Sequence, residues 1–368
     1  MVTVSDTIGV CSRCLREKPR EALRIAMEPH YHSRRRLRLP LDPPRGSGLK
    51  CSLCVNECTI PEGGYGYCGV RRVVNGVLGY RQGRSLLVYT YLDPHPTNCV
   101  AEPLCPATTS RGYPKYTRTP GVERGYYNLA VFAYGCTLDC LFCQNWEHKT
   151  ALADESWRLH VKPLDDFVEE SLNPYVTCIC YFGGDPTPQI PLILEASKRI
   201  VEEARERNQV KRICWETNGL QSPAVMREMA RLSLETGGIV KIDWKAWTPS
   251  IYQALTGVDG WKAVERLKEN VKVVANMMSE RDEPPLLVVS ILLVPGYVDV
   301  EEVRGIASYI ASVDERIPIV LLAFHPDYML QDLPPTSRQH ALKAIEAVRE
   351  AGVREVYLGN EWLLGDYY

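Results

Sequence analysis

From Leu129 onward, apolar β-favouring runs alternate with amphipathic stretches of helical period, and few folds accept that order. Strands are predicted at Leu129–Tyr134, Thr177–Phe182, Arg212–Glu216, Ile239–Trp244, Leu286–Val294, Ile319–Phe324 and Val353–Leu358. Helical spacing covers Ile190–Arg207, Pro223–Glu235, Glu301–Val313 and Arg338–Glu350. Strand and helix in alternation predict an α/β fold with a parallel sheet. Chemistry in such sheets gathers at the carboxyl ends of the strands, so the polar residues that end these strands are the first candidates for function.

The first strand ends at Gly135, and Cys136, Cys140 and Cys143 follow at once in the spacing C-x3-C-x-Phe-C. A glycine turn after a strand places a short loop at its carboxyl end. Protein-held cubane clusters usually take four cysteine thiolates. Three on one loop can hold three irons and leave the fourth open to a small molecule. From the spacing alone, a three-cysteine zinc site or a set of buried thiols is the alternative.

Upstream, Cys51, Cys54, Cys58 and Cys68 form C-x2-C-x3-C-x9-C. This is a strong metal-site pattern, and its spacing does not choose between zinc and an iron–sulfur cluster. Cys11 and Cys14 form a C-x2-C, and Cys99 and Cys105 a C-x5-C. Together they supply donors for a second tetrahedral site, expected to be zinc, that would pin the N-terminus to the Asp93–Cys105 segment. The rival is a free thiol at Cys99 or Cys105 near the substrate. Val73–Leu78 reads as a hairpin on the Asn75-Gly76 turn, and Ser85–Tyr91 as a further β-favouring run. The first 125 residues otherwise read as irregular. A boundary in the polar Ser110–Gly125 connection divides the chain into a cysteine-rich metal-binding domain, 1–125, and an α/β domain, 126–368. The basic run Ser33–Arg38 is expected to be a solvated face. His30 and His32 are expected to be structural, and Cys178, Cys180 and Cys214 to be buried packing.

Composition narrows the class. A chain of 368 residues has room for one large domain or two, and 45% apolar with 24% charged residues is ordinary for a soluble protein. A net charge of −2 predicts no general affinity for nucleic acid. No run reaches the ~18 apolar residues of a membrane span. The opening MVTVSDTIGV has neither a charged leader nor an apolar core, so a cytoplasmic location is expected. There, fourteen cysteines favour metal ligation over disulfides.

Further motifs follow the strands in order: Gly183-Gly184-Asp185-Pro186, Glu216-Thr217-Asn218-Gly219, Asp243-Trp244-Lys245, Val294-Pro295-Gly296-Tyr297 and Phe324-His325-Pro326-Asp327-Tyr328. With Cys136, Cys140 and Cys143, this series resembles the radical S-adenosylmethionine (radical SAM) superfamily. It is most similar to pyruvate formate-lyase-activating enzymes and the radical SAM component of the AmmeMemoRadiSam system. The resemblance implies a partial (β/α)6-type barrel behind the cysteine-rich N-terminal domain. It implies an enzyme in which the three cysteines hold a [4Fe-4S] cluster whose open iron chelates SAM. Reductive cleavage then releases a 5′-deoxyadenosyl radical that acts on a protein or small-molecule substrate. By the same resemblance, Gly183, Gly184 and Asp185 meet the SAM ammonium. Glu216, Thr217 and Asp243 surround a monovalent cation beside the SAM carboxylate, with Asn218 in the same motif; Lys245 contacts SAM and His325 its ribose. An electron donor such as ferredoxin or flavodoxin is implied, and the N-terminal cysteines would hold a second cluster, zinc or both. The chain departs from these relatives in two places. Asp185 stands where the motif has Glu, and Cys99 and Cys105 lie where a Lys-Pro-Leu segment is usual, so the substrate is not carried over. A glycyl-radical-enzyme activase is the narrower alternative. A zinc-binding or electron-transfer protein without SAM chemistry is the alternative of another class.

Overall fold

The computed structural model describes residues 3–368. Met1 and Val2, the start of the segment read above as leaderless, lie outside them. The centre is a nine-stranded sheet. Its strands in chain order are β1 (Leu86–Pro94), β2 (Tyr127–Ala133), β3 (Val161–Lys162), β4 (Val176–Gly183), β5 (Arg212–Thr217), β6 (Val240–Asp243), β7 (Leu287–Leu293), β8 (Ile319–Ala323) and β9 (Val356–Gly359). Their spatial order is β9-β8-β7-β6-β5-β4-β2-β1-β3. From β2 to β9 through β4 all neighbours are parallel, whereas β1 runs antiparallel to both β2 and β3. The seven strands expected from hydrophobic periodicity are the seven parallel ones. The edges β9 and β3 do not pair, so the barrel is partial. Among the described residues no helix is long and apolar enough to cross a membrane.

Alternation along each strand divides the core. Ile179, Tyr181, Ile213, Trp215, Val289, Ile291 and Leu321 point to the outer layer of helices, whose longest member is Ile190–Glu206. Their neighbours Cys178, Cys180, Cys214, Val288 and Val320 point to the concave face. The long β1–β2 connection fills that face. Ala101 and Leu104 pack on Ile239, Val288 and Val320, while Cys105 and Ala107 pack on Cys178, Cys180 and Cys214. The three strand cysteines are therefore core residues, as their position on the strands predicted.

Two expectations for the N-terminal part are corrected. It is not irregular: three helices, α1 (Ser12–Glu17), α2 (Pro19–Ala26) and α3 (Glu28–Arg36), open the described chain. Pro19 and Pro29 occupy first-turn positions where a missing N–H costs nothing. The Ser110–Gly125 connection does not separate the sheet either, because β1 lies before it and pairs with β2 from Val88↔Ala133 to Pro94↔Tyr127. The predicted hairpin is present, with Arg71–Val74 and Val77–Tyr80 joined through Asn75 and Gly76, both at positive φ. Helices Pro249–Thr256 and Gly260–Ala275 were missed between β6 and β7. Asp259, whose carboxylate accepts from Trp261 and Lys262 backbone N–H groups, was the available start signal for the second.

The concave face buries one complete ion pair. Arg212 donates to both oxygens of Glu123, at 2.9 and 2.6 Å, and both side chains are wholly buried. Thr177 donates to the same carboxylate at 2.7 Å. Burial opposes ionisation of Glu123, but Arg212 outweighs it and lowers the carboxyl pKa. The resulting stability is complete above the ordinary carboxylate pKa and is lost as pH falls through the lower folded-state value. Glu123→Gln strands the guanidinium, so urea unfolding should show a loss of about 3–5 kcal/mol. A loss below about 1 kcal/mol would show that water or another acceptor reaches Arg212.

Candidate active site

The loop after β2 turns at Gly135, φ +84°, and presents Cys136, Cys140 and Cys143 to a cavity of about 300 Å³ at the carboxyl ends of the strands. Gly183, Gly184, Asp185, Glu216, Thr217, Asn218, Asp243 and Lys245 line the same cavity. Residues up to 109 apart in sequence thus converge as the strand-end argument requires. The Gly183-Gly184 turn fits against the cysteine loop because neither residue has a side chain. A Cβ on Gly184 would stand 2.2 Å from the Gly135 carbonyl oxygen. Gly184 N–H donates to Ala133 at 2.9 Å and Asp185 N–H to Gly135 at 3.1 Å, which locks the two loops together.

The chemistry of the cavity fits a multi-iron cluster. Burial pushes the Cys140 thiol up to about 12, against the pull of Lys245, and raises Cys136 and Cys143 as well. Such thiols stay protonated until a metal takes the proton's place. The three thiols line one cavity, with room between them and the opposite wall. Across the cavity, Glu216 Oε2 and Asp243 Oδ1 are buried without a hydrogen-bond partner, with Lys241 Nζ 3.7 Å from Glu216 Oε2. Orphaned carboxylate oxygens suit a hard cation. Asp243 also pairs with Lys245, which holds the ammonium charged despite its burial.

Three predicted residues sit otherwise than expected. Thr217 does not face Glu216 and Asp243; its hydroxyl donates to Asp185 Oδ2 at 2.8 Å. Asp185 is itself consumed, accepting from Thr187 N–H at 2.8 Å and Asn218 N–H at 2.9 Å. The short side chain folds back into its own loop, where a Glu would extend further. His325 does not line the cavity. Its side chain is 51% exposed and lies 3.8 Å from Asp327.

A buried charge cluster behind the loop went unread. Asp139, between the first two cysteines, is fully buried. Lys149 donates to its Oδ1 at 2.8 Å, His30 Nδ1 lies 3.2 Å from Oδ2, and Arg34 stands 3.6 Å away. Burial alone would neutralise Asp139; these neighbours hold it well below the usual carboxylate range. Arg34 also stacks on Tyr67 at 3.5 Å and donates to the Tyr67 carbonyl at 2.6 Å. The basic run is thus not a uniform solvated face: Arg35, Arg36 and Arg38 are exposed, while Arg34 is buried. The i, i+4 spacing of His30 and Arg34 was the signal for one helical face turned inward. His148, 3.9 Å from Cys143 Sγ, is held neutral by burial, its pKa down to about 3.

Cys51, Cys54, Cys58 and Cys68 come together around one cavity, with Thr137 and Thr187 in its wall. The other proposed tetrad does not assemble. Cys11 and Cys14 sit at the start of α1, which Arg16 docks to Asp299 at 2.8 Å and Glu302 at 3.0 Å. Cys99 and Cys105 are carried onto the concave face, where Cys99 Sγ is 3.1 Å from Lys241 Nζ and Cys105 packs on Cys178. The sheet keeps the two pairs apart. All fourteen cysteines are free of disulfides.

The arrangement is a partial barrel of parallel strands with three cysteines and several acids gathered at its rim. Residues 130–310 match the family model of the Radical SAM superfamily. Over those residues the chain carries a radical SAM domain, and the protein is an enzyme. An uncharacterised protein of Methanocaldococcus jannaschii, MJ0808, is 25% identical over 316 residues, 85% of this chain and 81% of the relative. A second from the same organism, MJ0674, is 21% identical over 229 residues, 60% of each chain. Among solved structures, a domain of pyruvate-formate lyase-activating enzyme from Bacteroides vulgatus is 17% identical with a TM-score of 0.38, covering 50% of this chain and 98% of that one. Streptococcus suis SuiB bound to S-adenosylmethionine is 12% identical with a TM-score of 0.42, covering 61% and 48%.

The Asp139 cluster gives a prediction. Asp139→Ala leaves Lys149 and Arg34 without their shared counter-charge and should destabilise the fold by about 3–5 kcal/mol. Iron retention should fall with it, because Lys149 also donates to the Cys140 carbonyl at 3.4 Å. By contrast, Cys178→Ala, Cys180→Ala and Cys214→Ala should each keep the parent's iron content. Metal analysis of the purified variants checks both statements.

Proposed function

We propose that the enzyme reductively cleaves SAM at a [4Fe-4S] cluster held by Cys136, Cys140 and Cys143, and directs the resulting radical at a protein or small-molecule substrate. The observation that carries this is the meeting of the three cysteines, the Gly183–Asp185 turn, Glu216, Asn218, Asp243 and Lys245 in one cavity. A cavity of about 300 Å³ is at the lower end of the range for ligand sites. Held by Cys136, Cys140 and Cys143, a reduced cluster would supply the electron that splits the sulfonium. The chain's own residues bind and orient.

In this reading Lys245 faces the SAM carboxylate, and Glu216 with Asp243 holds a monovalent cation through the two orphaned oxygens. Because Asp185 is engaged within its loop, backbone carbonyls of the Gly183–Asp185 turn meet the SAM ammonium. His325, just beyond the end of β8 and outside the cavity, would meet the ribose only where SAM extends past the cavity rim. A low-potential donor of the ferredoxin or flavodoxin class reduces the enzyme.

Purified without oxygen and reduced with dithionite, the enzyme should convert SAM to 5′-deoxyadenosine and methionine, and Cys140→Ala should abolish turnover. Full SAM cleavage by that variant would sink the assignment. Removing one charged partner from the buried SAM site should cost about 1.5–3 kcal/mol, roughly a tenfold to hundredfold rise in dissociation constant. Calorimetric titration of SAM into Asp243→Asn tests this; unchanged affinity would remove Asp243 from the site.

A further inference from the structure

We propose that a small cavity beside the active site binds a cationic group, an alkylammonium or guanidinium, between the rings of Tyr89, Phe132 and Tyr134 and the carboxylate of Glu147. That this group belongs to the second reactant rests on the reading above; the preference for a cation does not.

The cavity measures about 210 Å³ and shares Phe132, Asn145, His148, Gly183 and Gly184 with the larger one. It is smaller than the ~300 Å³ at which sites for whole small molecules begin. It therefore suits one side group of a reactant whose body lies in the main cavity. None of Cys136, Cys140 and Cys143 lines it, so it is not the place of a molecule anchored at the cysteine loop.

The strand pairing puts the rings there. Tyr89 stands opposite Phe132 in the β1–β2 register. Tyr91 and Tyr134, each two positions on, share the faces of Tyr89 and Phe132. Neighbours hold the rings in place. His160 stacks on Tyr134 at 4.8 Å and meets Tyr89 edge-on at 6.1 Å, while Tyr91 stacks on Phe132 at 5.8 Å. Tyr89 is nonetheless 50% exposed, an aromatic face left open at the rim.

The charge around the rings is one-sided. Glu147 opens the helix Glu147–Asp154, is exposed and forms no ion pair among the described residues. Among those residues no Lys or Arg lines the cavity, and burial holds His148 neutral. In the segment that carries His160, Arg158 is taken by Glu155 and Lys162 by Glu170. After burial, Glu147 is the next cause of the raised Tyr134 pKa, so its field reaches the rings. A polar demand in the same wall is also unmet: His148 is 6% exposed and its Nδ1 has no hydrogen-bond partner. Aromatic faces attract a cation through their quadrupoles. An unpaired carboxylate supplies the matching charge. An anion would be repelled by Glu147, and a neutral apolar group would leave it without a counter-charge, so a cation is the class that satisfies both features.

The test uses the full chain, loaded with iron, sulfide and SAM without oxygen and left unreduced so that nothing turns over. Equilibrium dialysis measures the binding of agmatine and cadaverine, of blocked arginine and lysine peptides, and of the neutral citrulline and acetyl-lysine counterparts of those peptides. At least one cation should bind about tenfold or more tighter than the neutral peptides. Tighter binding of the free amines marks a small-molecule reactant, and tighter binding of the peptides a protein one. Equal binding of charged and neutral peptides, or no binding of any cation, overturns the proposal. Glu147→Gln and Tyr89→Leu, both at exposed positions, should keep the parent's iron content and each weaken the cation about fivefold or more. Unchanged affinity in either overturns the placement. Should a variant lose its iron, the contrast between charged and neutral probes in the unaltered enzyme decides. Cation binding without SAM cleavage would overturn the reading of the active site and leave the subsite standing; SAM cleavage without cation binding would do the reverse.

Discussion

The structure turns on a single buried carboxylate. Asp139 lies in the cysteine loop, but its counter-charges come from elsewhere: Lys149 from the helix that follows the loop, and His30 and Arg34 from α3. A carboxylate without these partners could not stay ionised in that interior. Nor could Lys149 and Arg34 be buried without it. The N-terminal helices and the cysteine loop therefore define one another. Asp139 explains why a segment that reads as an appendage is fastened to the back of the active site. His30 extends the attachment by a further contact with the Ala254 carbonyl at 3.0 Å.

Most of the half-barrel was legible because its strands are buried on both faces and its helices on one. All seven parallel strands and four of the outer helices follow from hydrophobic period alone. The strand-end residues that line the cavity were legible for the same reason, since a parallel sheet sends them all to one rim. The concealed part is what depends on contacts between distant segments. Nothing local to Pro94–Tyr126 says that it will fill the concave face, because its burial comes from Ile239, Val288 and Cys178, far along the chain. Arg34 looks like its exposed neighbours until Asp139 and Tyr67 are placed around it.

Asp185 shows the limit of reading a motif by position. Its place after Gly183-Gly184 is kept, but its carboxylate serves Thr187, Thr217 and Asn218 and so ties the β4 loop to the β5 loop. Burial raises its pKa, and three donors oppose that rise. The shorter side chain has exchanged reach for cross-linking. Thr217 follows from the same substitution, since its hydroxyl is drawn toward Asp185 and away from the orphaned oxygens of Glu216 and Asp243.

The segment that fills the concave face bears on the order of events. Residues 101–107 pack on Ile239, Val288, Val320 and Cys178, while the cavity lies at the carboxyl ends of the strands. In the reading proposed above, SAM would sit innermost against the cysteine loop and the second reactant would approach over it. The altered reactant would then withdraw before the fragments of SAM leave.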